Sequence, residues 1–326
     1  SGINGLLFHD KEELNNAFSI QYSFVNIGSF TGTTFIAMLP ISGLFGLKLP
    51  FNTVFLICGI FLFIDAIWFI VNQRALGEAG KKPFKHDQRE FVDKTKAAKA
   101  ESAPLTKGDW KRIIAVILVT LFSVVFWMVW YMAYMPAYYY FGWGDGASYL
   151  NHANWMIGSF QVPTSWFDSV NAITCIILGP VFAIIWDKMA KRPKGDMSMF
   201  KKTALGMILV GCAFVVMVAA DIVRGDGQCS LIWIVMVAVL MSVGEMVFSP
   251  LGNSFITKIA PAKAMGILLG FWPIAVFFAQ MIYPPLYDFL KTVPFQAGYG
   301  AVAAVVIALG LILWGCSGRL DKLEQE

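Results

Sequence analysis

The chain is poor in charge. Of its 326 residues, 14% are Asp, Glu, Lys or Arg, against about a quarter in soluble globular domains. A solvated surface of ordinary polarity is thereby excluded. Metal-ligating and nucleophilic residues are scarce as well. The five cysteines (Cys58, Cys175, Cys212, Cys229, Cys316) form no CxxC pair, and His9, His86 and His152 are scattered. A structural metal site or a disulfide framework is not expected from such spacing. Also absent are a Gly-rich phosphate loop, a carboxylate pair with a base and a Ser/His/Asp set. Neither an enzyme nor an ATP-driven motor is expected, and no metal, no cofactor and no nucleic-acid partner. The sequence begins at Ser1 without Met or a signal-peptide pattern, which reads as an internal start.

What is present is apolar. Hydrophobic residues make up 57% of the chain and the mean hydropathy is +0.64. A membrane-spanning helix needs about 20 mostly apolar residues. Eight such runs are expected, roughly at 17–41, 51–72, 112–138, 169–188, 201–223, 231–257, 265–287 and 297–317. The alternation of a membrane β-barrel is missing, so the fold class is an all-α polytopic membrane protein, embedded in a lipid bilayer.

The basic residues divide unevenly. With both termini on one side, the loops of the other side hold Lys48, Arg224 and Lys291 of the 25 basic residues, leaving 22 on the first. Lys and Arg near span ends favour the cytoplasm, so both termini are expected there. The spans fall into a pair (1–72), a charged linker (73–110), a group of six (111–318) and a short tail (319–326). Within the linker, 87–101 could form a surface helix, although a solvated linker is the simpler reading. Short loops lean towards a bacterial inner membrane.

Glu245 is the most informative residue. It interrupts an otherwise apolar run, and a carboxylate near the bilayer centre costs at least a few kcal/mol unless something compensates it. On a helix of 100° per residue, Ser242, Glu245, Ser249 and Asn253 share one sector. Pro250 would free a backbone carbonyl beside them. The face reads as a cavity wall, or as a structural Glu paired to a neighbouring helix. A second stripe, Trp127, Tyr131, Tyr134 and Tyr138, follows the i, i+4, i+7, i+11 spacing of one helix face, and both packing and cavity lining fit it. Asn26 and Asn171 are intramembrane amides that need partners; helix-to-helix hydrogen bonding is the bland alternative. Asp65 is a second intramembrane acid, and Trp272 and Gln280 are weaker candidates.

Three stretches resemble the proton-dependent oligopeptide transporters of the major facilitator superfamily. Gln21-Tyr22-Ser23-Phe24-Val25-Asn26-Ile27-Gly28-Ser29-Phe30 resembles that family's F-Y-x-x-I-N-x-G-S-L. The run from Val162-Pro163 through Trp166-Phe167-Asp168-Ser169-Val170-Asn171 to Trp186 resembles its IPxxWFQSxNPxFIIxLxPVFAxLW. The run from Gly244-Glu245 through Ser249-Pro250 to Pro261 resembles its GExxxSPxGxSxxTKxAP. The loop from Asp187 to Arg192 is similar to the superfamily's D-[RK]-x-G-[RK]-[RK], with Ala190 at the Gly position.

The resemblance implies a major-facilitator bundle whose spans correspond to helices 5–12, the first four helices of the same protein being absent from this sequence. It implies a secondary carrier that takes up di- or tripeptides, or peptide-like solutes, by alternating access, driven by a proton gradient. By the same resemblance Glu245 faces the amino end of the peptide and is the proton-coupling candidate, Asn171 assists it, Asn26 contacts the peptide backbone, and Trp272 lines a side-chain pocket. Tyr22, Ser249, Tyr131 and Trp127 complete the substrate-binding candidates. Tyr131 departs from the family, which carries an acid there. A neutral phenol cannot make the ion pair that this acid makes with the family's helix-four lysine. A non-transporting receptor or scaffold on the same fold, and a carrier of a different small solute, are the alternatives that departure leaves open.

Overall fold

Local sequence signals set the helix boundaries. The computed structural model describes residues 24–77, 104–144, 147–193, 195–248 and 252–325. These divide into two units, Ser1–Ala103 and Pro104–Glu326. In the first unit, α1 (Phe24–Ile41) carries a π-helical stretch at Gly32–Ile36, and α2 (Phe51–Asn72) follows Pro50 in extended conformation. Tyr22 and the linker stretch 87–101 lie outside the described residues.

The second unit opens with α3 (Lys107–Met135), which continues as a π-helical turn over Pro136–Tyr140. Its start is fixed by a capping box: the Asp109 backbone N–H donates to the Thr106 hydroxyl, and the Thr106 N–H donates to the Asp109 carboxylate. Both would otherwise be orphan donors of a helix end. Next come α4 (Trp166–Ala190), α5 (Met199–Arg224), α6 (Leu231–Phe248), α7 (Gly252–Ile259), α8 (Met265–Leu290) and α9 (Phe295–Leu320), with a final turn α10 (Lys322–Gln325). Four two-residue strands decorate one end: β1 (Ala153–Asn154), β2 (Met156–Ile157), β3 (Phe160–Gln161) and β4 (Cys229–Ser230). β1 runs parallel to β4, and β2 pairs antiparallel with β3.

Seven helices among the described residues are long and apolar enough to cross a membrane, and the protein is an all-α multi-pass membrane protein. The run expected at 231–257 is described in two parts. It is helical over Leu231–Phe248 and Gly252–Ile259, and residues 249–251, with Ser249 and Pro250, lie outside the described residues. Helices α3 and α5 form the interior of the second unit: α3 packs on α8 and α5, α5 on α9 and α6, and α4 on α6. Phe126, Met132, Met207, Phe214, Met217 and Met241 are fully buried there. The α8 face bearing Ile267, Phe271, Phe277, Phe278 and Met281 is exposed, as suits contact with hydrocarbon. Helix approach depends on small residues. A Cβ on Gly244 of α6 would sit 3.0 Å from the Gly206 carbonyl oxygen of α5 and 3.0 Å from Val210.

Candidate functional site

Glu245 lies fourteen residues after Leu231, roughly 21 Å along the apolar helix α6 at 1.5 Å per residue. Its partner is neutral. The Asn171 side-chain amide of α4 donates to Glu245 Oε2 at 3.0 Å and contacts the Ser242 hydroxyl oxygen at 3.0 Å. Ser242 in turn donates to the Ala238 carbonyl at 2.7 Å. The expected polar sector of α6 therefore meets the intramembrane amide of α4, and Ser242 orients the amide that holds the acid. Ser249 is outside the described residues, and the side chain of Asn253 likewise.

The α3 stripe forms one file of rings. Trp127 and Tyr131 are 5.9 Å apart between centroids, Tyr134 and Tyr138 6.3 Å. Tyr131 stacks on Tyr283 of α8 at 6.0 Å and meets Gln280 through its hydroxyl. Tyr131 and Tyr134 are both within electrostatic reach of Glu245. Trp127 Nε1 has no hydrogen-bond partner among the described residues. Trp272 of α8 lies across the start of α7, where a Cβ on Gly252 would come within 2.0 Å of the indole ring; only glycine permits that approach. Asn26 is half-buried on α1, in the other unit, and Asp65 is exposed on α2.

Two groups went unread in the sequence. The first is Asp168, in the opening turn of α4. Tyr138 donates to its Oδ2, and Tyr134 also bonds it. The signal was available: Asp168 stands where the resembled motif has Gln. The second is a network at the end of the unit that carries β1–β4. There Arg224 Nε donates to Asp221 Oδ1 at 2.7 Å, Tyr140 to the same oxygen at 2.5 Å, and Gln296 to Oδ2 at 3.0 Å. Arg224 also donates to Tyr140 at 2.9 Å and to the Gly225 and Gly227 carbonyls. Tyr140 stacks on Phe295 at 3.9 Å. An Asp–Arg pair at i, i+3 was its only sequence signal. An apolar cavity of about 150 Å³ beneath Trp155, Trp166 and Phe167 includes none of these polar groups.

No three His, Cys, Asp or Glu residues converge as a metal site among the described residues. The arrangement offers a carboxylate with neutral partners, flanked by phenols and an indole. Such a wall suits an organic molecule bearing a positive charge.

A family model described as the POT family matches residues 79–306. The chain belongs to the POT family. It is a family of transporters, not of enzymes. The chain is 26% identical to a di-/tripeptide transporter of Lactococcus lactis subsp. cremoris, over 65% of this chain and 41% of that protein. It is 31% identical to an uncharacterized transporter of Bacillus subtilis, over 48% of this chain and 31% of that protein. It thus spans well under half of these two relatives. A dipeptide and tripeptide permease B of Xenorhabdus bovienii is 23% identical over 96% of this chain and 70% of that protein. Among solved structures, a POT family transporter in complex with 5-aminolevulinic acid superposes with TM-score 0.80 at 20% identity, covering 98% of this chain and 72% of the other. A peptide transporter POT in complex with alafosfalin gives 0.77 at 24%, covering 99% and 71%. These likenesses establish the POT transporter fold.

Proposed function

We propose that this POT-family protein is a proton-coupled secondary carrier of di- and tripeptides or peptide-like solutes. The observation that carries the reading is the Asn171–Glu245 hydrogen bond at 3.0 Å. An intramembrane carboxylate held by a neutral amide, with no Lys or Arg against it among the described ion pairs, keeps its charge for an incoming group. The amino end of a peptide supplies that charge. The relatives named as di-/tripeptide transporters support the substrate class.

The coupling follows from the same acid. An ionised Glu245 holds an ammonium group strongly, and a protonated one holds it weakly. A proton and a solute amine thus compete for one carboxylate, and rocking of the six-helix unit would carry the outcome across the bilayer. Asn171 keeps the acid oriented in both states, Tyr131 supplies a hydroxyl where the family has an acid, and Trp127 and Trp272 offer apolar surface for peptide side chains. Asn26, Tyr22 and Ser249 remain assigned to substrate contact. The membrane is bacterial and both termini of this chain face the cytoplasm in this reading, on the lopsided distribution of Lys and Arg.

Proteoliposomes holding the full-length gene product test it. Labelled dialanine accumulates under an inward proton gradient, and Glu245→Gln abolishes that accumulation. Specific dialanine binding with no flux would instead establish a receptor on a transporter fold.

A further inference from the structure

The polar file does not end at Glu245. Asp168 lies one turn before Asn171 on α4, and residues three apart share a helix face. It is half-buried within a membrane span, and none of the four described ion pairs includes it. The groups that face it are phenols of α3. Tyr138 donates to Oδ2, and Tyr134 bonds the same carboxyl while also lying within reach of Glu245. Glu245 of α6 is connected to this face through Asn171. Two carboxyl groups therefore lie along one polar file, with the Asn171 amide on Glu245 and the Tyr134 phenol on Asp168 between them, and no cation among the described residues is bonded to either.

A structural role alone explains part of this. An acid in the first turn of a helix is favoured by the helix dipole, and phenol hydrogen bonds tie α3 to α4. Helix-start acids, however, are normally met at solvated ends, where the charge is cheap. This one is inside an apolar unit, and an intramembrane ionisable group without a counter-ion marks a functional path.

We infer that Asp168 is the second proton-carrying carboxyl of this carrier, placed on α4 one turn from Asn171 and along the same polar file as Glu245. The inference rests on the proton-coupled reading above. In the step, the Asp168 carboxylate takes one proton from water at the β1–β4 end. The proton takes up a lone pair and turns one acceptor oxygen into a donor, so the carboxyl accepts less well from Tyr134 and Tyr138 and the α3–α4 contact loosens. The proton leaves to water when the solute has departed, and the Tyr138 hydrogen bond re-forms. One proton is bound and one released per cycle at this group.

The test compares two modes of transport in proteoliposomes, using labelled dialanine and Asp168→Asn. The amide still accepts from Tyr138 and cannot be protonated. Gradient-driven accumulation should fall to the level seen without a gradient, while counterflow, which moves no net proton, persists. Tyr138→Phe keeps the acid and should retain gradient-driven accumulation with a displaced pH profile. If Asp168→Asn accumulates dialanine as the wild type does, or loses counterflow and accumulation in parallel, the inference is overturned. Infrared difference spectra of solubilised protein on an acid step give an answer independent of transport: a carboxylic-acid C=O band should disappear in Asp168→Asn, and its persistence contradicts the assignment. A wild-type protein indifferent to the gradient removes the proton-coupled reading and this inference with it. A gradient-driven wild type with an unaffected variant removes only the inference.

Discussion

The second unit contains two acidic clusters, and they are built on opposite principles. Asp221 is held by a guanidinium, a phenol and an amide, with its side chain 5% exposed and that of Arg224 12%. Both oxygens of the acid are hydrogen-bonded, and its charge is cancelled within the protein. Glu245 is held by one amide, and Asp168 by phenols. Their charge is oriented but not cancelled. The comparison separates a clamp from a site. A buried acid with its own cation ties α3, α5 and α9 together, whereas one with neutral partners is, in the proposed function, the group open to a proton or an amine.

The sharpest way to break the comparison is to remove one half of the clamp. Asp221→Ala removes the counter-ion of the partly exposed Arg224 and strands the Tyr140 hydroxyl and the Gln296 amide, which costs about 1–3 kcal/mol. Thermal melting in detergent should show a large loss of stability. Glu245→Gln should leave melting almost unmoved, because the Asn171 amide still finds an oxygen, yet it should weaken peptide binding by about 2 kcal/mol or more, measured by calorimetry. If the two variants exchange these phenotypes, the assignment of clamp and site is reversed.

Smaller effects sharpen the same division. Gly244→Ala inserts a methyl 3.0 Å from the Gly206 carbonyl and should cost about 1–3 kcal/mol by forcing α6 away from α5. Because Glu245 is the next residue, binding should fall along with melting temperature. The smallest effect concerns Cys229, outside the spanning helices beside β1. Burial pushes its thiol up to about 11, and the thiolate is the reactive form. In a variant retaining only this cysteine, maleimide labelling of folded protein at neutral pH should be slow, and should rise as the pH approaches 11 or on denaturation. His152 nearby is moved the other way: burial first, then Arg224, lower its pKa below the usual histidine range, so it adds no cation to the clamp at neutral pH.

Much of the membrane architecture was legible in the sequence because apolar length is a one-dimensional property. The spans at 51–72 and 265–287 correspond closely to α2 and α8. The run 231–257 is helical on both sides of residues 249–251, which lie outside the described residues. The site was half legible. Glu245 and Asn171 stand out by the cost of polar groups in hydrocarbon and Ser242 by sharing a helix sector with Glu245, but the hydrogen bonds from Asn171 depend on how α4 packs on α6. Asp168 was passed over because it falls at the very start of a span, where acids are ordinary. What makes it unusual is the arrival of Tyr134 and Tyr138 from α3, thirty residues earlier. The Asp221 clamp was missed for a similar reason: Arg224 was read as a loop charge, while Tyr140 and Gln296 come from distant segments.

The central claim is that Glu245 receives the amine of the solute because its own partner is neutral. It is tested most directly by comparing dialanine with N-acetyl-dialanine in binding to wild-type protein and to Glu245→Gln. The wild type should prefer the free amine by about 2–5 kcal/mol, and the variant should bind both peptides alike. A preference for the free amine that survives in Glu245→Gln would contradict the account.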